Sequence, residues 1–153
     1  MKKKIILNNK QINQKITRIA HQIIECNIDE NEVIIAGIEK NGYIIANQLK
    51  QILSNITEIK ITTCSVKINK ENPLDEVTTS INEDYYLNKS LVLVDDVLNS
   101  GATLIYAVKY FLNTKIKQFK TAVLINRNHK KFPVKADFKG ISLSTTTISH
   151  IKV

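Results

Sequence analysis

"LVLVDDVLNSGATL", Leu91 to Leu104, is the stretch whose reading decides the fold. Four apolar residues run straight into two adjacent carboxylates, Asp95 and Asp96. Val97 and Leu98 follow, then a small polar turn at Asn99-Ser100-Gly101 and an apolar segment with helical spacing. A short apolar, β-branched run bounded by a turn reads as a buried strand, and the periodic segment beyond it as a helix. Two like charges at the mouth of a buried strand repel each other, so the sequence carries a local cost there that calls for a binding partner.

The surrounding chain repeats this strand-to-helix grammar. "EVIIAG", Glu32 to Gly37, is another apolar run ending in glycine, and "YIIANQLKQIL", Tyr43 to Leu53, follows it with helical spacing. Upstream, Ile12, Ile16, Ile19, Ala20, Ile23 and Ile24 recur on one face between Asn9 and Asn27, which predicts an amphipathic helix. "EIKITTCSV", Glu58 to Val66, alternates and predicts a strand. The stretch from Lys67 to Lys89 is polar, contains Pro73, and reads as a long loop. Beyond Leu91–Val94 come a helix over Ala102–Leu112, a strand over Thr121–Ile125, and a basic stretch with short strands.

Alternating strands and helices predict an α/β fold: one domain over residues 1–153, with a mostly parallel central sheet of about five strands flanked by helices. Strands apolar throughout belong at the centre of such a sheet, so Leu91–Val94 is expected in the middle with Val33–Ala36 beside it. No internal repeat, linker or composition break marks a second domain.

Bulk properties narrow the class. The chain has 153 residues, is 43% hydrophobic and 24% charged, and carries a formal charge of +8. The apolar run after Met1-Lys2-Lys3-Lys4 is too short for a signal peptide, and no stretch reaches the ~18 apolar residues of a membrane span. A soluble, cytoplasmic protein without membrane partners is the expectation. Arg18 and Arg127 are the only arginines, so 20 of the 22 basic residues are lysine. That excess suits phosphorylated ligands or RNA. Cys26 and Cys64 lack a C-x-x-C partner or a neighbouring His cluster, and two buried, unpaired thiols are expected.

Chemistry concentrates at two loops that follow buried strands, where open α/β sheets bind ligands. In Ser100-Gly101-Ala102-Thr103 the backbone N–H groups of a strand-to-helix turn suit a phosphate, with hydroxyl donors from Ser100 and Thr103. Glycine at 101 lets the backbone approach without a Cβ. Asp95 and Asp96 accept hydrogen bonds and suit a vicinal diol or a hydrated Mg²⁺. Diol plus phosphate describes a ribose 5-phosphate. The other loop is "GIEKNG", Gly37 to Gly42, whose single cation is Lys40.

"LVLVDDVLNSGATL" resembles the signature of the type I phosphoribosyltransferases: apolar run, acid pair, apolar residue, then T/S-G-x-T. The resemblance implies that family's fold, with a small C-terminal hood formed mainly by residues 127–153 plus the N-terminal segment. It implies catalytic roles for Asp95 and Asp96 on the ribose hydroxyls of phosphoribosyl diphosphate, with Mg²⁺ brought by the substrate. Asn99, Ser100, Gly101, Ala102 and Thr103 would complete the ribose 5-phosphate site. Ile38, Glu39, Lys40 and Asn41 would bind diphosphate.

Three further segments, "ITRIAHQIIECN" (Ile16–Asn27), "GIEKNGYIIANQL" and "RNHKKFPVKADFKG" (Arg127–Gly140), resemble in order and spacing the bacterial pyrimidine-operon attenuation regulators, which are also uracil phosphoribosyltransferases. This implies a homodimer or higher homo-oligomer that binds uridine nucleotides and, in some bacteria, RNA. Asn126, Phe138 and Lys139 would then line the base site, with Phe138 stacking on the ring; a plain core aromatic is the competing reading of Phe138. Thr17, Arg18 and His21 on one helical face, and the basic cluster His129, Lys130, Lys131, Lys135 and Lys139, are the RNA-facing candidates, with a solvated surface as the alternative for both. His150 has no evident partner.

The sequence departs from these relatives at four places. Asn99 stands where purine-salvage relatives carry an acid that handles a ring proton. Cys64-Ser65-Val66-Lys67 aligns with the tyrosine-arginine-aspartate-aspartate run that opens the regulators' flexible loop. Glu39 and Asn41 replace the usual basic residues of the diphosphate loop. Asn126 replaces an aspartate.

Overall fold

The computed structural model describes residues 5–127 and 129–144. Helix α1 (Asn9–Glu25) opens with Asn8 and Gln11 capping each other's backbone N–H groups, a reciprocal box that satisfies two orphan donors of the first turn. Strand β1 (Glu32–Ile38) leads into α2 (Asn41–Ile56), then β2 (Lys60–Lys67) and a two-residue strand β3 (Thr78–Thr79). A 3-10 turn (Glu83–Tyr86) precedes β4 (Ser90–Leu98), followed by α3 (Ala102–Phe111), β5 (Gln118–Arg127) and β6 (Phe138–Leu143).

The strands form one sheet in the order β3-β2-β1-β4-β5-β6, parallel throughout except for β3, which pairs antiparallel with β2. The core strands read as uninterrupted apolar runs because both faces are covered. Val33 and Ile35 of β1 and Val92 and Val94 of β4 pack with Ile16, Ile19 and Ile23 of α1 and Leu49 and Leu53 of α2. Ile34, Ala36, Leu91 and Leu93 face the other way, against Leu104, Ala107 and Phe111 of α3 and Tyr86 of the 3-10 turn.

As expected, β4 is central with β1 beside it. The sheet has six strands rather than about five, because Thr78–Thr79 pairs with β2 inside what reads as a polar loop. Two residues carry no detectable periodicity, so this strand leaves no trace in sequence. Strand β4 also runs on to Leu98, so the acid pair lies within the strand. The thiols differ from expectation too: Cys64 is buried in β2, but Cys26 is exposed as the C-cap of α1, past the last turn that packs on the sheet.

Candidate functional site

The site originates in a mismatch of strand lengths. The ladder between β1 and β4 ends at Gly37 and Val94, whereas that between β4 and β5 continues to Leu98 and Asn126. From Asp95 onward β4 therefore has a neighbour on one side only, and a cavity of ≈ 330 Å³ opens there. Its wall carries Asp95, Asp96 and the whole turn Asn99–Thr103, with Asn41 and Lys70 reaching in from elsewhere. The first turn of α2 comes this close because of Gly42, where an added Cβ would lie 2.6 Å from the Val94 carbonyl oxygen and 3.1 Å from the Asp95 Cα. Glycine is what lets helix and strand backbones touch. As a result Asn41 Nδ2 donates to Asp96 Oδ2 at 3.0 Å.

The two carboxylates differ in protonation. Asp95 is only 4% exposed, and burial pushes its carboxyl up to about 7; the adjacent charge of Asp96 adds to the rise and Lys70 opposes it. Lys70 Nζ lies 3.9 Å from Asp95 Oδ1. Asp96 is half-buried, which also pushes its pKa up, yet hydrogen bonds from Asn41, Asp95 and the Val97 N–H, with the Lys70 charge, hold it below the ordinary value. The Asp96 N–H in turn donates to Asp95 Oδ1 at 2.9 Å. Environment splits a like-charged pair into one carboxylate and one group titrating near neutrality.

The Asn99–Thr103 turn is braced from behind. Gly101 adopts φ +91°, the left-handed region, and an added Cβ would meet Val134 Cγ1 at 2.7 Å and Phe132 Cβ at 3.5 Å. The glycine is thus required by backbone conformation and by packing against the 131–134 segment, and its missing Cβ does not point at the expected phosphate position, as the sequence had suggested. The Ser100 carbonyl accepts from the Lys131 and Phe132 N–H groups at 2.7 and 3.1 Å, and Ser100 Oγ accepts from the Ala102 N–H at 3.2 Å. Helix α3 starts at Ala102 with no side-chain cap from Gly101, so its first-turn donors and positive dipole end suit an anion. On the other side, Arg127 Nη1 donates to Asn99 Oδ1 at 3.1 Å.

The first loop is more mixed. Ile38 is fully buried in the core, so only its backbone could meet a ligand. The Glu39 N–H is taken by the Val66 carbonyl, and the Glu39–Lys40 peptide is cis. Lys40 is exposed at the N-cap of α2 and gives no side-chain cap, which leaves the first turn of α2 open to an anion. Of the four residues expected on diphosphate, Asn41 alone lines the cavity, and its amide is bonded to Asp96.

The phosphoribosyl transferase domain model matches residues 2–153. The chain belongs to that family. Among curated relatives, "Bifunctional protein PyrR" of Macrococcus caseolyticus is 30% identical over 162 residues, covering 100% of this chain and 92% of the relative. The protein of the same name from Clostridium novyi is 32% identical over 159 residues, covering 99% and 89%. Among solved structures, a hypoxanthine-guanine phosphoribosyltransferase from Bacillus anthracis superposes with a TM-score of 0.79 at 19% identity, covering 93% of this chain and 82% of that one. The hypoxanthine phosphoribosyltransferase of Trypanosoma cruzi in complex with IMP gives 0.79 at 15% identity, covering 92% and 80%. At such identities the structural likeness establishes the phosphoribosyl transferase fold and nothing about the base.

Within this phosphoribosyl transferase frame the residues expected on ribose 5-phosphate all meet in one cavity, whereas those expected on the base do not line it. Asn126 is buried in β5, its Nδ2 bonded to Ser142 Oγ at 3.3 Å and its Oδ1 without a partner. Phe138 is 7% exposed and packed in the core, which supports the core reading over the stacking one. Lys139 is exposed on β6. Parts of the expected hood, residue 128 and residues 145–153 with His150, lie outside the described residues, as do residues 1–4.

The RNA-facing candidates are partly engaged. Arg18 Nη2 donates to the Lys139 and Gly140 carbonyls at 2.6 and 2.7 Å, so it ties α1 to β6. Thr17 Oγ1 donates to the Asn13 carbonyl of its own helix. His21, Lys130, Lys131, Lys135 and Lys139 are exposed and His129 is half-buried. The run Cys64–Lys67 falls inside β2, with Cys64 and Val66 in the core, so the loop proper begins at Ile68.

Two members of the site were missed in sequence. Lys70 lies in the polar 67–89 stretch with nothing to single it out among 20 lysines. The Arg127–Asn99 bond joins positions 28 residues apart, and Arg127 being one of only two arginines was the available hint.

Proposed function

We propose that this protein transfers the phosphoribosyl group of phosphoribosyl diphosphate to a pyrimidine, uracil, giving UMP and diphosphate. The observation that carries the reading is that the acid pair and the Asn99–Thr103 turn line a single cavity at the carboxyl end of β4. The 5-phosphate sits on the α3 N-terminus and the hydroxyls of Ser100 and Thr103. The ribose hydroxyls donate to Asp95 and Asp96. These anchors fix the sugar so that, as the C1–oxygen bond to diphosphate breaks, the base nitrogen bonds to C1 and releases its proton. Positioning supplies most of the rate in such a site.

Two carboxylates on one wall of a polar cavity provide hard oxygen ligands, and among the described residues no cluster of three His, Cys, Asp or Glu side chains forms a metal cage. That donor set fits Mg²⁺ carried mainly by the substrate's diphosphate, held through Asp95 and Asp96; when bound it neutralises the departing charge. Lys70 adds a cation that offsets Glu39 and Asn41 at the diphosphate loop. It belongs to a turn stitched by Asn69: its Nδ2 donates to Asp75 at 3.0 Å and its Oδ1 accepts from the Glu71 and Asn72 N–H groups. A homo-oligomer is part of this proposal.

The test is diphosphate release from phosphoribosyl diphosphate and Mg²⁺ with uracil, cytosine, orotate, hypoxanthine and guanine. Uracil should be the substrate; a purine as the better one refutes the base assignment. Failure of every base while UMP still binds moves the conclusion to a nucleotide-binding regulator, and the basic surface at Lys130, Lys131, Lys135 and Lys139 makes RNA the partner to test next.

A further inference from the structure

A guanidinium has donors and no acceptor, so the bond from Arg127 Nη1 to Asn99 at 3.1 Å exists only with the amide oxygen turned toward the arginine. Asn99 lines the cavity and sits next to the turn at Ser100–Thr103. Its Nδ2, with two N–H groups, is consequently turned away from Arg127. Arg127 itself is 7% exposed on the last residue of β5, and a side chain so enclosed loses little freedom in holding this geometry.

We infer that Arg127 and Asn99 form a specificity device in which the buried guanidinium fixes the Asn99 amide so that it presents donors to the incoming base. The inference rests on the phosphoribosyl transfer reading and names what that site selects. With the 5-phosphate on the turn and the hydroxyls on the acid pair, the edge of the sugar left over is the one bearing C1. A residue lying in the chain between those two anchors faces the base attached there. Amide donors at that position select a base whose attacking nitrogen is flanked by a carbonyl oxygen, as N1 of uracil is by O2. They reject a base that presents a ring N–H, for which a carboxylate would be the acceptor. The positive charge behind the amide strengthens the preference for an electron-rich acceptor and for the deprotonated ring.

The device also accounts for what an acid would do here. Aspartate at 99 would be drawn into an ion pair with Arg127 and would present lone pairs to the cavity. The pair therefore couples the two positions: changing either one releases the amide from its fixed orientation. Arg127 is the positioning residue and Asn99 the group that meets the base.

Calorimetric titration of UMP, IMP and ribose 5-phosphate against the wild type, Asn99→Ala, Asn99→Asp, Arg127→Met and the Asn99→Ala/Arg127→Met double variant tests this. The ratio of UMP to ribose 5-phosphate affinity should fall about tenfold in Asn99→Ala and in Arg127→Met, with no further fall in the double variant, because both remove one oriented contact. In Asn99→Asp the ratio of UMP to IMP affinity should fall further still. An unchanged UMP to ribose 5-phosphate ratio in Asn99→Ala, which alters an exposed side chain and keeps the fold, overturns the proposal. Equal losses of UMP and ribose 5-phosphate in Arg127→Met reduce Arg127 to a structural role and overturn its part. If ribose 5-phosphate and UMP both fail to bind the wild type, it is the phosphoribosyl reading that falls.

Discussion

Gly101→Ala separates two reasons for a glycine at the phosphate turn. At φ +91° an alanine pays the left-handed penalty, about 1–2 kcal/mol. Its Cβ would also sit 2.7 Å from Val134 Cγ1. A contact that short forces the 131–134 segment back, at about 1–3 kcal/mol for overpacking. The single variant should therefore lose about 2–5 kcal/mol in urea unfolding. Val134→Ala removes the methyl in the way but leaves the backbone strain. The Gly101→Ala/Val134→Ala double variant should be about 1–3 kcal/mol more stable than the sum of the single losses predicts. Binding of ribose 5-phosphate, weakened in Gly101→Ala because the braced turn moves, should recover in the double variant. Additive stabilities within about 0.5 kcal/mol would show that the Cβ does not meet Val134. A double variant that stays stable but cannot bind would return the glycine to its simpler role of leaving room for the anion.

Other outcomes can be measured directly. Gly42→Ala should be severely destabilised, by about 3 kcal/mol or more, since its Cβ would meet backbone atoms of Val94 and Asp95 that have no rotamer to escape into. Asn41→Ala should raise the Asp96 carboxyl pKa in an NMR titration by removing the 3.0 Å bond. Burial holds the Cys64 thiol up at about 12 while Cys26 is exposed, so a thiol reagent should label one cysteine in the folded protein and two in denaturant. Asp95 titrates near 7 when folded and near 3.8 unfolded, so the folded state binds the extra proton and stability falls as pH rises from 4 to 7. At about 1.4 kcal/mol per pH unit that amounts to about 4 kcal/mol. Asp95→Asn should flatten this decline, and an identical pH profile in the variant sinks the assignment.

Much of the site was legible because it is local. Asp95 to Thr103 is one contiguous strand, turn and helix start, and each residue's role follows from its place in that unit. The continuous apolar runs of β1 and β4 gave away their central position for the same kind of reason, since only a sheet covered on both faces favours them. What sequence could not supply was contact between distant segments. Nothing in "GIEKNG" says that Asn41 will hold Asp96, because that depends on Gly42 seating α2 against the Val94 carbonyl. Arg18 reads as a surface cation until β6 places the Lys139 and Gly140 carbonyls over it. Phe138 could be read as a ring-stacking or a core residue, and the packing of α1 against β6 is what buried it.

The paired acids of β4 illustrate how the fold handles a cost that the site requires. Beyond Val94 the strand has lost its β1 neighbour, so Asp95 and Asp96 occupy the one stretch of β4 open to a ligand. Full ionisation of both in so enclosed a place is unfavourable, and the protein answers by dividing the pair. Asn41, the Val97 N–H and Lys70 keep Asp96 charged, while Asp95 holds a proton up to about pH 7. A ligand that brings hydroxyl donors or a divalent cation reverses the balance, because it stabilises the very charge that burial disfavours. Binding should therefore release a proton near neutral pH, and ligand affinity should climb with pH until Asp95 is ionised in the free protein. The free energy that opposes ionisation in the empty cavity is what makes the filled one selective for partners able to supply donors or positive charge at Asp95.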